Sequence, residues 1–147
     1  MYRGVLLAFV LAEFVISQFA IASPQDLAGQ APVKLIFDCD MDSDCDDAGA
    51  LGVLHALADR GEVEILAVML SALDPHAGPC ANAINTYNGR PDLPIGAARE
   101  PAPMYKSKYT QAVADACPHD LKASADAPDA VQLYREILSK QPDASIT

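Results

Sequence analysis

The sequence predicts a three-layer α/β domain built on a mainly parallel, doubly wound sheet. Three observations predict it. Short apolar runs alternate with segments of helical periodicity. The run at 63–70 is almost continuously apolar, as in a strand covered on both faces. Six aspartates fall within ten residues, Asp38-Cys39-Asp40-Met41-Asp42-Ser43-Asp44-Cys45-Asp46-Asp47, directly after the first apolar run. That is where open α/β sheets place their ligand sites, just beyond the carboxyl end of a strand.

Residues 33–38 read as strand one. Residues 46–59 read as a helix, with Ala50, Leu51, Val53, Leu54, Leu57 and Ala58 on its apolar face. Asp46 and Asp47 open it, where carboxylates suit free N–H groups and the helix dipole. Gly61 after Arg60 is a helix stop. Residues 63–70 form strand two, and 74–79 a loop past its end. Residues 80–87 read as a second helix, ended by Asn88-Gly89-Arg90-Pro91, and 93–97 as a short third strand. The order βαβαβ implies right-handed crossovers.

From 100 to 130 the pattern weakens into Ala, Asp and Pro with little periodicity, which reads as a long surface segment near the site end or a partly disordered one. Residues 129–139 form a helix on Val131, Leu133, Tyr134, Ile137 and Leu138. A turn at 141–144 follows, and 145–147 look like the first residues of another strand.

The aspartate cluster carries the chemistry. Mutual repulsion disfavours it unless a cation neutralises it. Ligands that are all oxygen suit a hard ion, Ca²⁺ or Mg²⁺. The plain alternative is a solvated acidic loop, and for Asp46 and Asp47 a capping role compatible with metal binding.

The chain of 147 residues carries a formal charge of −10, and the cluster supplies six of its twenty acidic residues. The acidity is therefore local. No basic stripe is present, which argues against nucleic-acid binding.

The N-terminus reads as a secretory signal over 1–22. Arg3 supplies the positive end, Val5 to Ala22 is mostly apolar despite Glu13, and Ala20-Ile21-Ala22 precedes Ser23 as a cleavage site. An uncleaved membrane anchor is the alternative. Cleavage would leave an exported protein without stable membrane association, with a flexible lead-in at 23–32 before the domain at 33–147. Cys39 and Cys45 flank aspartates and read as packing under the site. Cys80 and Cys117 can pair in an exported chain, and the spacing leaves that open. No C-x-x-C motif points to structural zinc.

The run from Phe37 through Leu51 resembles the N-terminal motif of the inosine–uridine-preferring nucleoside hydrolase family: a strand ending in Asp-x-Asp, a turn, then Asp-Asp and a helix. It is similar to the variant with a longer turn. Glu64-Ile65-Leu66-Ala67-Val68 resembles that family's second strand, and Gly89-Arg90-Pro91-Asp92-Leu93-Pro94-Ile95-Gly96 its segment before strand three. The resemblance covers roughly 33–147. It implies a Rossmann-like fold, a nucleoside substrate, Ca²⁺ as cofactor and hydrolysis of the N-glycosidic bond to base and ribose.

Carried over by motif position, Asp40 is a Ca²⁺ ligand and the general base, Asp47 a second ligand, Asp46 a contact to the ribose hydroxyls, and Asp38 a supporting carboxylate. The family has an asparagine past strand two. The loop position nearest it here is Asp74, a departure, with substrate contact as its expected role. Asp42 and Asp44 have no assigned role. Family members continue beyond this point with further ligands and a leaving-group histidine, so the resemblance implies an N-terminal fragment, inactive alone. A homo-oligomer is compatible with it.

Rival readings exist. A haloacid-dehalogenase-like phosphatase would use Asp38 as nucleophile, Asp40 as acid/base and Mg²⁺, but Asp42 stands where those enzymes carry Thr or Val. An EF-hand would need Gly at Cys45 and Glu at Leu51. An inactive, Ca²⁺-binding relative is the third. His55 reads as packing on the first helix, His119 as exposed, and His76 as a loop residue near the site. Tyr105 and Tyr109 are surface residues or stacking surfaces for a base.

Overall fold

The computed structural model describes residues 31–146. The expected leader at 1–22, its expected cleavage site at 20–22 and nearly all of the expected lead-in at 23–32 lie outside the described residues. Strand β1 is Val33–Cys39, helix α1 Asp46–Asp59, strand β2 Val63–Leu70, helix α2 Ala77–Tyr87 and strand β3 Ile95–Ala97. Helix α3 (Thr110–Ala116), a single 3₁₀ turn (Ser124–Asp126) and helix α4 (Ala130–Ser139) complete the order. No helix among the described residues is long and apolar enough to cross a membrane.

The chain is an α/β protein with an open, parallel three-stranded sheet ordered β1-β2-β3. The side chains of β2 alternate between its two faces. Val68 and Leu70 join Leu51 of α1 and Ala77, Cys80 and Ala81 of α2 in one core. Ala67 and Met69 meet Ala130 and Leu133 of α4 in another. Both faces of β2 are therefore covered, which is why it reads as an unbroken apolar run. Each fully buried Leu or Met contributes about 1.5–3 kcal/mol. Gly96 lets α4 come close: a Cβ there would stand 2.7 Å from Met69 Sδ and 2.9 Å from the Ala130 Cα.

The free edge of β1 bears on the site. Ile146 forms a parallel bridge with Lys34, on the side of β1 away from β2. The acidic turn follows the C-terminal end of β1, the end at which open parallel sheets place their ligand sites.

Three elements depart from the expected boundaries. Helix α2 begins at Ala77 rather than 80, because Pro79 falls in its first turn, where a missing N–H costs nothing. Strand β3 is shorter than 93–97. Pro94 precedes it and contributes only its carbonyl, which accepts from the Val68 N–H at 2.9 Å. The 100–130 segment is ordered and packed: Thr110, Ala114, Ser124 and Ala127 are buried. Its anchors are polar, so hydrophobic periodicity did not mark them. Ser124 Oγ accepts from Gly78 N and donates to the Asp74 carbonyl. Asn82 Oδ1 accepts from the N–H groups of Asp120 and Leu121.

Candidate functional site

The turn after β1 is folded tightly by two residues in the left-handed region, Met41 (φ 51°) and Cys45 (φ 65°). Neither is glycine, so each conformation costs of order 1 kcal/mol or more. Met41 is held there because its side chain is fully buried in the α1/α2 core. Cys45 then starts α1 without a side-chain cap.

These constraints bring Asp47 back against the end of β1. Its Oδ2 accepts from the backbone N–H of Asp40 at 3.1 Å and of Met41 at 2.8 Å. Burial pushes the Asp47 carboxyl above the usual carboxylate range. The neighbouring Asp40 and Asp46 carboxylates push the same way, and the Met41 N–H offsets part of the rise. Asp40 Oδ1 accepts from Asp42 N at 3.1 Å, an Asx turn that fixes its rotamer.

Asp46 is exposed on the first turn of α1, with Oδ1 near the Asp47 N–H. Asp38 lies to the side: its Oδ2 accepts from Tyr134 Oη at 2.7 Å. Burial, and then this bond, raise the Tyr134 phenol far above its ordinary value, so it stays a donor. Cys39 is buried beneath the turn. Burial and then the carboxylates of Asp47, Asp38 and Asp40 raise its thiol strongly, which makes it an inert packing residue.

The longer turn is tied to the far segment. Asp42 Oδ1 accepts from Ser43 Oγ, and Ser43 Oγ accepts from Lys108 N at 3.1 Å. Asp44 is exposed. The Tyr109 phenol is a buried donor without a partner among the described residues. Burial raises its pKa most, followed by the nearby Cys80, Cys45, Asp47 and Asp44.

Asp74 stands apart from the cluster. It is 4% exposed. Its carboxylate accepts from His76 N at 2.7 Å, Thr110 Oγ1 at 3.1 Å and Ser107 N at 3.3 Å. It organises the loop before α2 and lines a neighbouring cavity that also takes in His76 and Tyr105.

The structure therefore brings Asp40, Asp46 and Asp47 to one turn, sets Asp38 on its flank against α4, and puts Asp74 in the wall beside it. Sequence reasoning missed Tyr134 as the partner of Asp38, since its helical spacing marked it only as apolar. It also missed the Lys108–Ser43 link, which no local pattern announces. All four cysteines are free thiols.

For a hard cation the donor chemistry is suitable: oxygen only, with Asp40 and Asp47 crowded and like-charged. Ca²⁺ takes about six to eight oxygens, and two carboxylates make a minority of that shell. Among the described residues no group of three or more His, Cys, Asp or Glu is placed to hold a metal ion.

No protein-family model matches the chain. A search of curated proteins found no match. A search of solved structures found none either.

Proposed function

We propose that this domain belongs to a longer protein that hydrolyses the N-glycosidic bond of ribonucleosides, on a Rossmann-like, doubly wound fold. The observation that carries the reading is the folding of Asp47 against the Asp40 backbone at the carboxyl end of the parallel strand β1. The motif resemblance supports it.

Breaking this bond leaves positive charge on the ribosyl ring, and fixed carboxylates around the sugar stabilise that charge. A bound Ca²⁺ supplies an acidified water and a hold on vicinal hydroxyls. Asp40 and Asp47 are the residues that would hold it. Asp40 takes the proton from the attacking water, with its rotamer set by the Asp42 N–H. Asp46, exposed at the start of α1, meets the ribose hydroxyls. Asp74 is a further substrate contact through the cavity it lines. Asp38, held by Tyr134, adds negative charge on the flank of the turn. Under this reading the protein is exported and the described part alone turns over no substrate.

The test is release of reducing sugar from inosine and uridine by the full-length protein with Ca²⁺ present. Ribose release that Asp40→Asn abolishes supports the reading. Release of phosphate from phosphomonoesters, without ribose release, replaces it with the phosphatase.

A further inference from the structure

The cavity lined by Asp74 has a volume of about 520 Å³ and lies between the segments that follow β2 and β3. That size suits a small organic ligand. Leu73, Ala97, Ala98, Met104 and Tyr105 give it apolar walls. Met104 is 76% exposed and Tyr105 39%. Their backbone is nevertheless held in place: Met104 bridges to Leu73, Leu73 N donates to the Pro103 carbonyl at 2.7 Å, and Ser107 N donates to Asp74.

Two cations line the same space, Arg99 and Lys106. Neither has a carboxylate partner among the described residues. The Arg99 guanidinium is fixed by the carbonyls of Ala97, Ala98, Ala125 and Ala127. Carbonyls position its charge without neutralising it. Two carboxylates share the lining. That of Asp74 is taken up by three donors within the wall, and that of Glu100 is exposed, where water and salt screen it. Arg99 and Lys106 are exposed as well, so solvent screens them, but beside apolar walls they give the cavity mouth a positive edge that favours an anionic ligand.

We propose that this cavity binds a flat aromatic acid. The ring packs against Leu73, Met104 and Tyr105, through stacking and sulfur–aromatic contact. The carboxylate takes the Lys106 ammonium as its direct donor, in the field of Arg99 behind it. The cavity shares its Asp74 wall with the hydrolytic reading but does not rest on it, since neither Asp40 nor Asp47 takes part.

A charge series on one ring tests it: indole-3-carboxylate, indole-3-carboxamide and 3-(aminomethyl)indole, titrated with the full chain. The chain has no tryptophan, so indole fluorescence anisotropy reports the ligand alone. The carboxylate is expected to bind about tenfold tighter than the carboxamide, the worth of one charge-assisted contact, and the amine weakest. Lys106→Gln, an exposed side chain with no bond to lose, removes that preference even if Arg99→Gln disturbs the fold. Added salt weakens it and calcium chelation leaves it unchanged. Equal binding of carboxylate and carboxamide, a preference that survives Lys106→Gln, or no binding of any of the three at millimolar concentration would each overturn the proposal.

Discussion

Helix α1 carries two polar clusters built on opposite principles. At its N-terminal end Asp47 is pressed toward Asp40 and Asp46, like charge on like charge, with backbone N–H groups as the only donors on its carboxylate among the described residues. About two turns later, His55 is fully buried among groups that bond one another, with Asn85 Nδ2 left without a partner among the described residues. Its Nε2 donates to Asn85 Oδ1 at 2.9 Å, its Nδ1 faces Arg90 at 3.4 Å, and Arg90 pairs with Asp59 at 2.6 Å. The second cluster joins α1 to α2 using groups already present. The first lacks a counter-charge, and its strained turn at Met41 and Cys45 keeps it from relaxing. A cluster whose charges and ring nitrogens are paired from within belongs to stability. A cluster held open at a strand end is suited to a ligand.

The largest expected effect that could break this comparison is catalytic. Asp40→Asn keeps shape and the Asx turn but removes the proton acceptor of the proposed reaction. In the full-length protein turnover of inosine and uridine should fall about 10²–10⁴-fold, measured as reducing sugar released. Asp42→Asn should cost far less, because its carboxylate touches only Ser43. Equal losses from both would make the turn a single electrostatic patch without a base.

Next is the stability of the His55 cluster. Asn85→Ala leaves the His55 Nε2–H buried without an acceptor and opens space between the helices. It should destabilise the domain by about 1–3 kcal/mol in urea unfolding. The acidic cluster should respond with the other sign. Without calcium, Asp40→Asn should be neutral or stabilising by up to about 1 kcal/mol, because it lifts a like-charge contact. A saturating cation, at about 100 times its Kd, should then stabilise the wild type by about 2.7 kcal/mol and the variant by much less. A wild type that loses stability on Asp40→Asn and ignores calcium would place both clusters in the same structural class.

The two regions also differed in how far sequence revealed them. The strands and α1 were legible because apolar periodicity and the acidic start of a helix are local signals: β2 and α1 fall where the pattern puts them. The acidic cluster was legible for the same reason, since its members are neighbours in the chain. His55 was not. It sits at a helical spacing from Leu51 and so read as packing, while the groups that make it polar, Asn85 and Arg90, lie 30 and 35 residues away. Tyr134 and Asp38 are 96 apart, and only the fold reveals that pair. The 100–130 segment was obscure because polar anchors hold it, through Asp74, Asn82 and Ser124. Such bonds carry no periodicity.

The smallest expected effect is the most specific, and it concerns pH. Burial holds the His55 imidazole below its ordinary pKa, and the Arg90 guanidinium pushes the same way. The Asn85 bond and the Asp59 carboxylate oppose them without reversing the shift. The folded state therefore prefers neutral His55, with Nε2 as donor and Nδ1 as acceptor toward Arg90. Protonation would place an N–H⁺ against that guanidinium. A depressed histidine contributes its full stability above the unfolded value of about 6.5 and loses it as pH falls from there through the folded value. Urea midpoints should accordingly decline from pH 7.5 to 5.5 in the wild type. His55→Gln keeps a polar side chain that reaches Asn85 but does not titrate in this range. The difference between the two declines isolates His55 from every other titrating group. A wild type that declines more steeply than His55→Gln confirms a neutral buried imidazole. Parallel declines, or a steeper one in the variant, would show that the network tolerates a charged His55 and that Asp59, not Asn85, governs it.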